Sequence, residues 1–124
     1  MMIQAIEFVI NGEPRSKANN RILLWKQKRI IKNKKAQDYM NNFILQGAII
    51  RNKYKDTVQF PIESVTVLTA WLYYASHRPD LDESLVMDGL EKAGIIKNDR
   101  QIREKHIYWK LDKENPRAKI LLQW

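Results

Sequence analysis

The sequence contains no cysteine, and it has only four glycines and four prolines in 124 residues. Without cysteine, a disulfide framework and a thiolate metal site are both excluded. The glycines are too widely spaced for a glycine-rich phosphate loop. The longest apolar stretch, residues 65–75, is interrupted by Thr66 and Thr69 and falls short of the ~18 residues that a membrane span needs. The first ten residues do not have the pattern of a secretory signal, so we expect a soluble, intracellular, cytoplasmic protein.

Acidic residues are missing from one long segment, residues 15–35, although the chain has 14 of them in total. The same segment contains nine basic residues, which leaves 13 basic and 14 acidic residues elsewhere, so the net charge of +8 is concentrated there. The nine are Arg15, Lys17, Arg21, Lys26, Lys28, Arg29, Lys32, Lys34 and Lys35. A nucleic-acid backbone would match such a segment, because cations bind phosphates and release counterions. A merely solvated basic surface is the alternative.

The remaining composition, 44% hydrophobic and 29% charged, is typical of a folded globular chain. Alternation and helical periodicity predict a series of strands and two helices. The strands are expected at 2–10, at 64–75, at 101–111, at 118–123 and as a short pair within 21–31, and the helices at about 35–50 and from Leu81 to Ala93, with Gly94 as a left-handed cap. This order predicts an α+β fold with a small mixed sheet and two main helices, in a single domain covering residues 1–124.

Carboxylates are concentrated in the stretch HRPDLDESLVMDGLEKAGIIKND, residues 77–99. Asp80 and Asp82 are two residues apart, so in extended backbone they would project to the same side. Asp99 follows the predicted helix and would join them if the chain returned along that helix. Clusters of carboxylates bind hard divalent cations such as Mg²⁺. The alternative is structural, since Asp82 is also well placed to cap the helix and Glu83 to complement its dipole.

Residues 78–102, which include most of this stretch, carry a longer motif. A basic residue precedes D-x-D, an aspartate lies on the following helix, and K-A-G, an acidic residue and Q-I come after it. Here these elements are Arg78, Asp80, Asp82, Asp88, Lys92-Ala93-Gly94, Asp99 and Gln101-Ile102. Together with the opening FVINGEPRSKANNR and the late Pro116-Arg117, this pattern resembles the RusA-like family of Holliday junction resolvases.

The resemblance implies a Mg²⁺-dependent endodeoxyribonuclease, with Mn²⁺ as a substitute, that cleaves four-way or other branched DNA and acts as a homodimer. It implies that Asp80, Asp82 and Asp99 are the catalytic carboxylates and the metal ligands. A phage or prophage origin is compatible with it. The residues expected to bind DNA are Lys17, Arg21, Lys26, Lys28, Arg29, Lys32, Lys34, Lys35 and Arg78.

The chain departs from the family pattern at several positions. Glu83 replaces an asparagine, Asn98 replaces the first of two paired acids, and the spacing from Asp82 to Asp88 is shorter. The family's helix lysine has no counterpart within residues 84–87, which leaves three alternatives: slow cleavage, a substitute such as Lys17 or Lys97, or loss of activity. These departures keep open a non-cleaving protein of the same fold that binds branched DNA, and more distantly an RNA-binding or toxin-like protein.

Other residues with possible chemistry have simpler interpretations. Asp88 is suited to a structural role, pairing with Lys92 one helical turn later. His77 and His106 have no partner at metal-ligand spacing, so neither is expected to bind a metal. The four tryptophans lie in apolar runs and are expected in the core.

Overall fold

The computed structural model describes residues 4–15, 21–24, 29–32 and 34–124. In these ranges the chain forms six strands and two α-helices. They are β1 (Ala5–Asn11), β2 (Arg21–Leu24), β3 (Arg29–Lys32), α1 (Lys34–Tyr54), β4 (Thr66–Tyr74), α2 (Ser84–Lys92), β5 (Ile102–Leu111) and β6 (Arg117–Gln123). A short 3₁₀ turn, Asp99–Gln101, leads into β5.

Four of the strands form one mixed sheet in the order β1, β6, β4, β5. β6 is antiparallel to both of its neighbours, whereas β4 and β5 are parallel. Parallel neighbours need a crossover connection, and α2 with its flanking loops supplies it. β2 and β3 pair with each other as a separate antiparallel hairpin. The acidic motif therefore lies on the β4–α2–β5 crossover.

One face of the sheet packs against the helices. β4 shows this clearly, since Leu68, Ala70 and Leu72 are fully buried while the residues between them are half-buried. This is the period-2 alternation of a strand with one face in the core. The two helices also pack closely on each other, because a Cβ atom on Gly89 of α2 would lie 2.7 Å from the ring of Phe43 on α1. Glycine at this position allows the close approach.

The end of α2 follows from its sequence. Gly94 has a φ of +74°, a left-handed conformation that glycine adopts without strain. The Gly94 N–H donates to the Glu91 carbonyl and the Ile95 N–H to the Leu90 carbonyl, both at 3.0 Å. These two bonds form a Schellman motif, which satisfies carbonyls at the helix end. The predicted cap at Gly94 is confirmed.

The predicted α+β class, with a small mixed sheet and two main helices, is confirmed. The predicted start of α2 was wrong, because α2 begins at Ser84 and not at Leu81. Leu81 lies in the loop before the helix, and 41% of it is exposed. Its spacing to Leu85 imitates a helical repeat, but Leu81 does not belong to the buried face of α2. Among the described residues, no helix has the length and apolar character that crossing a membrane requires.

Candidate active site

The loop between β4 and α2, residues 75–83, carries Asp80 and Asp82. Asp80 is exposed and Asp82 is half-buried. Oδ1 of Asp82 accepts a hydrogen bond of 2.8 Å from the backbone N–H of Ser84, the first residue of α2. This N–H has no partner within the helix, so Asp82 satisfies it. The structural role considered for Asp82 is therefore present, although Glu83 and not Asp82 is the N-cap residue.

Three hydrogen bonds attach this loop to the sheet and to the segment after β1. Its first residue, Ala75, donates its N–H to Oε2 of Glu13 at 2.8 Å. The indole Nε1–H of Trp109 on β5 donates to the carbonyl of Pro79 at 3.1 Å. Further along, the N–H of Asp82 donates to the hydroxyl of Tyr74 at 3.4 Å. The loop is thus held at its first residue, near its middle and close to its end.

Aromatic rings stack beneath the loop. The ring of Trp109 lies 5.8 Å from that of Tyr74, at an angle of 23° between planes. His77 stacks on Trp109 as well, at 5.5 Å and 19°. His77 belongs to the loop and is exposed, whereas Tyr74 is buried. The indole therefore lies in ring contact with the end of β4 and with the loop.

Tyr74 remains protonated at neutral pH. Burial is the largest cause that raises its pKa, and the nearby carboxylates of Asp82, Glu83 and Glu13 raise it further. The hydrogen bond from the Asp82 N–H acts in the opposite direction and is outweighed. Tyr74 is consequently a neutral hydrogen-bonding group and not a base.

Asp99 follows α2 in the chain and is the first residue of the 3₁₀ turn. Its backbone N–H donates to Oε1 of Glu91 at 2.9 Å, which ties the turn to the last part of α2. Asn98 caps the turn, since its Oδ1 accepts from the N–H of Arg100 at 2.8 Å and its own N–H donates to Oε1 of Gln101. The Asn98 side chain thus stabilises the turn in which Asp99 lies.

The three predicted carboxylates do not form a ready metal-binding group. Within the described ranges, no set of three or more histidine and acidic side chains is arranged to hold a metal ion. Asp80 and Asp82 still supply hard oxygen donors two residues apart. Mg²⁺ commonly uses one or two carboxylates and completes its shell with water and substrate phosphate oxygens. The donors present therefore fit a Mg²⁺ ion shared with DNA, and not one held in a closed protein cage. The metal-binding role of Asp80, Asp82 and Asp99 stays a prediction.

A cation that the sequence did not indicate lies at the first turn of α2. Nζ of Lys105 on β5 is 3.0 Å from Oε1 of Glu83 and 3.9 Å from Sδ of Met87. Lys97, considered as a replacement for the family's helix lysine, pairs instead with Glu63 at 3.1 Å. Lys105 is 22 residues from Glu83 in the sequence and reaches it only in the folded chain, so no spacing in the sequence could have identified it.

The predicted DNA-binding residues fall into two groups. Lys34 and Lys35, in the first turn of α1, and Arg78, two residues before Asp80, are all exposed. For the others the structure gives less: Lys17, Lys26 and Lys28 lie outside the described residues, and Arg21, Arg29 and Lys32 are described only by their backbone in β2 and β3. Binding of DNA by these residues stays a prediction.

The acidic loop, α2 and the turn at Asp99 lie within a single match to a known family. The sequence profile of endodeoxyribonuclease RusA matches residues 11–123. The chain belongs to the RusA family. The match covers nearly the whole chain, including the basic segment, and it confirms the resemblance seen in the motif of residues 78–102. A search of curated proteins returned no match. The RusA family is a family of endodeoxyribonucleases.

Proposed function

We propose that the protein is a Mg²⁺-dependent endonuclease that cleaves Holliday junctions or other branched DNA, with Mn²⁺ as a substitute metal. The observation that carries this proposal is the RusA match over residues 11–123, which includes the exposed acidic loop of Asp80 and Asp82. The chemistry of the loop is consistent with it, because hard carboxylate donors beside an exposed surface can share a metal with a phosphodiester.

In this proposal the carboxylates of Asp80, Asp82 and Asp99 bind and orient the metal. When bound, Mg²⁺ supplies positive charge that polarises the scissile phosphodiester and stabilises the leaving oxygen. The exposed position of Asp80 leaves it accessible to DNA. Asp82 is held more firmly through Ser84, so it provides a donor of fixed orientation.

The basic residues hold the DNA arms in the same proposal. Arg78 is exposed in the acidic loop itself, and Lys34 and Lys35 are exposed at the start of α1. Their positive charges favour phosphate contacts, which weaken as salt rises. A homodimer is part of the proposal, because a two-fold junction offers two equivalent strands and a symmetric dimer presents two sites to them.

The test uses a labelled four-way junction incubated with the wild-type protein, with Mg²⁺ or Mn²⁺ either omitted or added. We expect paired nicks only with metal, and the variant Asp80→Asn should bind the junction without cutting it. Cutting by Asp80→Asn at the wild-type rate would overturn the assignment of the site. Linear duplex DNA of the same sequence is the control for selectivity towards branches.

A second candidate is a protein of the RusA family that binds branched DNA without cleaving it. Two observations favour it: residues 84–87 contain no lysine, and the ammonium of Lys105 at the first turn of α2 is paired with Glu83. In the same assay this candidate predicts a shifted junction band and no product with either metal.

A further inference from the structure

We propose that Trp109 and Tyr74 are positioning residues that hold the segment 79–82 at two points and thereby orient the carboxylate of Asp80. This inference deepens the proposed function and rests on it for its catalytic meaning. Neither residue belongs to the acidic motif, and Trp109 was expected from the sequence only to fill the core.

The first point of attachment is immediately before Asp80. The Trp109 Nε1–H donates to the carbonyl of Pro79 at 3.1 Å, within the normal range for an N–H···O bond. That carbonyl belongs to the peptide group that joins Pro79 to Asp80. Fixing the carbonyl therefore fixes the plane from which the Asp80 side chain departs.

The donor itself is rigidly placed. Trp109 lies in β5, where it is paired with Leu72 of the fully buried β4 face. Its ring stacks on Tyr74 at 5.8 Å and on His77 at 5.5 Å. An indole restrained by its own strand and by the ring of buried Tyr74 has little freedom to move, so its hydrogen bond restrains the loop.

The second point of attachment is after Asp80. Tyr74 ends β4, and its hydroxyl accepts the N–H of Asp82 at 3.4 Å. Asp80 thus lies between two backbone groups that are each bonded to an aromatic side chain of the neighbouring strands β4 and β5.

Such an arrangement has a catalytic consequence. Misplacing a reacting group by about 1 Å can cost about a hundredfold in rate, even when the change is made outside the chemistry. An exposed loop would ordinarily permit displacements of this size. Two side chains from the sheet would limit them without contacting DNA or metal themselves.

The chain provides matched controls on the opposite face of the same sheet. Trp71 stacks on Tyr108 at 5.9 Å, and Tyr73 lies beneath the guanidinium of Arg117 at 3.8 Å. Both alternate with the buried positions of β4, so neither faces the acidic loop. Trp109→Phe and Tyr74→Phe can therefore be compared with Trp71→Phe and Tyr73→Phe, which remove the same groups elsewhere.

The experiment measures the single-turnover cutting rate of each full-length variant, with the protein in saturating excess over the junction, together with junction affinity in EDTA and the melting temperature. We expect Trp109→Phe to cut about ten- to a hundredfold more slowly than wild type, with Tyr74→Phe showing a smaller loss and both binding the junction normally. A rate for Trp109→Phe equal to that of Trp71→Phe would overturn the inference. If Trp109→Phe does not fold, the comparison of Tyr74→Phe with Tyr73→Phe decides.

A second readout separates this inference from the proposed function. Amide hydrogen exchange at residues 80–82, measured without DNA or metal, should accelerate in Trp109→Phe and Tyr74→Phe and not in the two controls. A wild-type protein that never cuts overturns the proposed nuclease while leaving this exchange result to support the attachment. Unchanged exchange in both test variants overturns the attachment, whether or not the wild type cuts.

Discussion

The ammonium of Lys105 lies 3.0 Å from the carboxylate of Glu83, so β5 is tied directly to the residue at the N-cap position of α2. The side chain of Glu83 makes no hydrogen bond to the helix backbone, so its carboxylate acts here through the ion pair with Lys105. We expect Lys105→Met to lower the free energy of unfolding by about 0.5 to 1 kcal/mol, because the pair is partly shielded from water. Urea unfolding at low and at high salt measures it.

Lys97→Met is the matched control for Lys105→Met. Lys97 pairs with Glu63 at 3.1 Å, but both side chains are 66% exposed. Screening by water leaves such a pair with little net effect, so this variant should unfold like the wild type. If the two variants lost the same free energy of unfolding, the pair of Lys105 with Glu83 would contribute no more than an exposed ion pair.

Substitutions at Asp82 can separate its structural role from its proposed catalytic one. Asp82→Asn keeps an oxygen that accepts the N–H of Ser84, whereas Asp82→Ala removes it. We expect Asp82→Asn to retain stability and lose Mg²⁺-dependent cutting, and Asp82→Ala to lose cutting and also about 1 kcal/mol of stability. Thermal unfolding and the junction assay, run on the same preparations, check both. Full cutting by Asp82→Asn would leave Asp82 with only its structural bond to the Ser84 N–H.

Much of the fold could be predicted because its signals are local. The alternation of β4 and the glycine after α2 each act within a few residues, and the structure has both where the sequence indicated them. The start of α2 was misplaced because Leu81 has helical spacing to Leu85, while the helix begins only where Asp82 can satisfy the Ser84 N–H.

The contacts around the candidate site could not be predicted, because they depend on strand pairing over long sequence separations. Trp109 reaches Pro79 only because β5 lies parallel to β4 with Leu72 opposite Trp109. That register includes a shift between Thr66 and Val67, which no local pattern reveals. The motif identified the acidic residues, whereas the side chains that hold them come from distant strands.

The close contact between the helices predicts a large effect of one added methyl group. Gly89→Ala would place a Cβ atom 2.7 Å from the ring of Phe43, which is fully buried. We expect a loss of about 1 to 3 kcal/mol despite the better helix propensity of alanine, because overpacking a core forces displacements. Chemical denaturation measures the loss. Phe43→Leu in the same chain should make the two changes non-additive by relieving the contact, and strict additivity would argue against a clash.

A buried hydroxyl predicts a stabilising substitution with a defined pH dependence. Tyr39 is 5% exposed, and its hydroxyl has no hydrogen-bond partner in the described part of the chain. Because leaving a buried polar group unsatisfied costs about 1 to 3 kcal/mol, Tyr39→Phe should raise stability by about 1 kcal/mol at pH 7. Burial also raises the pKa of Tyr39 far above its ordinary value.

The sign of the alkaline effect at Tyr39 follows from that shift. The unfolded chain releases the tyrosine proton above about pH 10, while the folded chain keeps it, so wild-type stability falls as pH rises beyond that point. Tyr39→Phe removes this contribution, and its advantage should grow between pH 10 and pH 11. Unfolding curves at pH 7, 9, 10 and 11 test it, and an advantage that shrinks with pH would contradict the assignment.

The position of Arg78 predicts a change in the salt dependence of DNA binding. Arg78 is exposed two residues before Asp80, where the proposed DNA path must pass. Arg78→Gln should weaken junction binding and reduce the slope of log affinity against log salt by about 1, since one phosphate contact is lost. Lys113, exposed in the loop between β5 and β6, supplies the control Lys113→Gln, for which affinity and slope should stay at wild-type values. Titrations in EDTA from low to moderate salt distinguish the two. An unchanged slope for Arg78→Gln would show that Arg78 makes no phosphate contact in the complex.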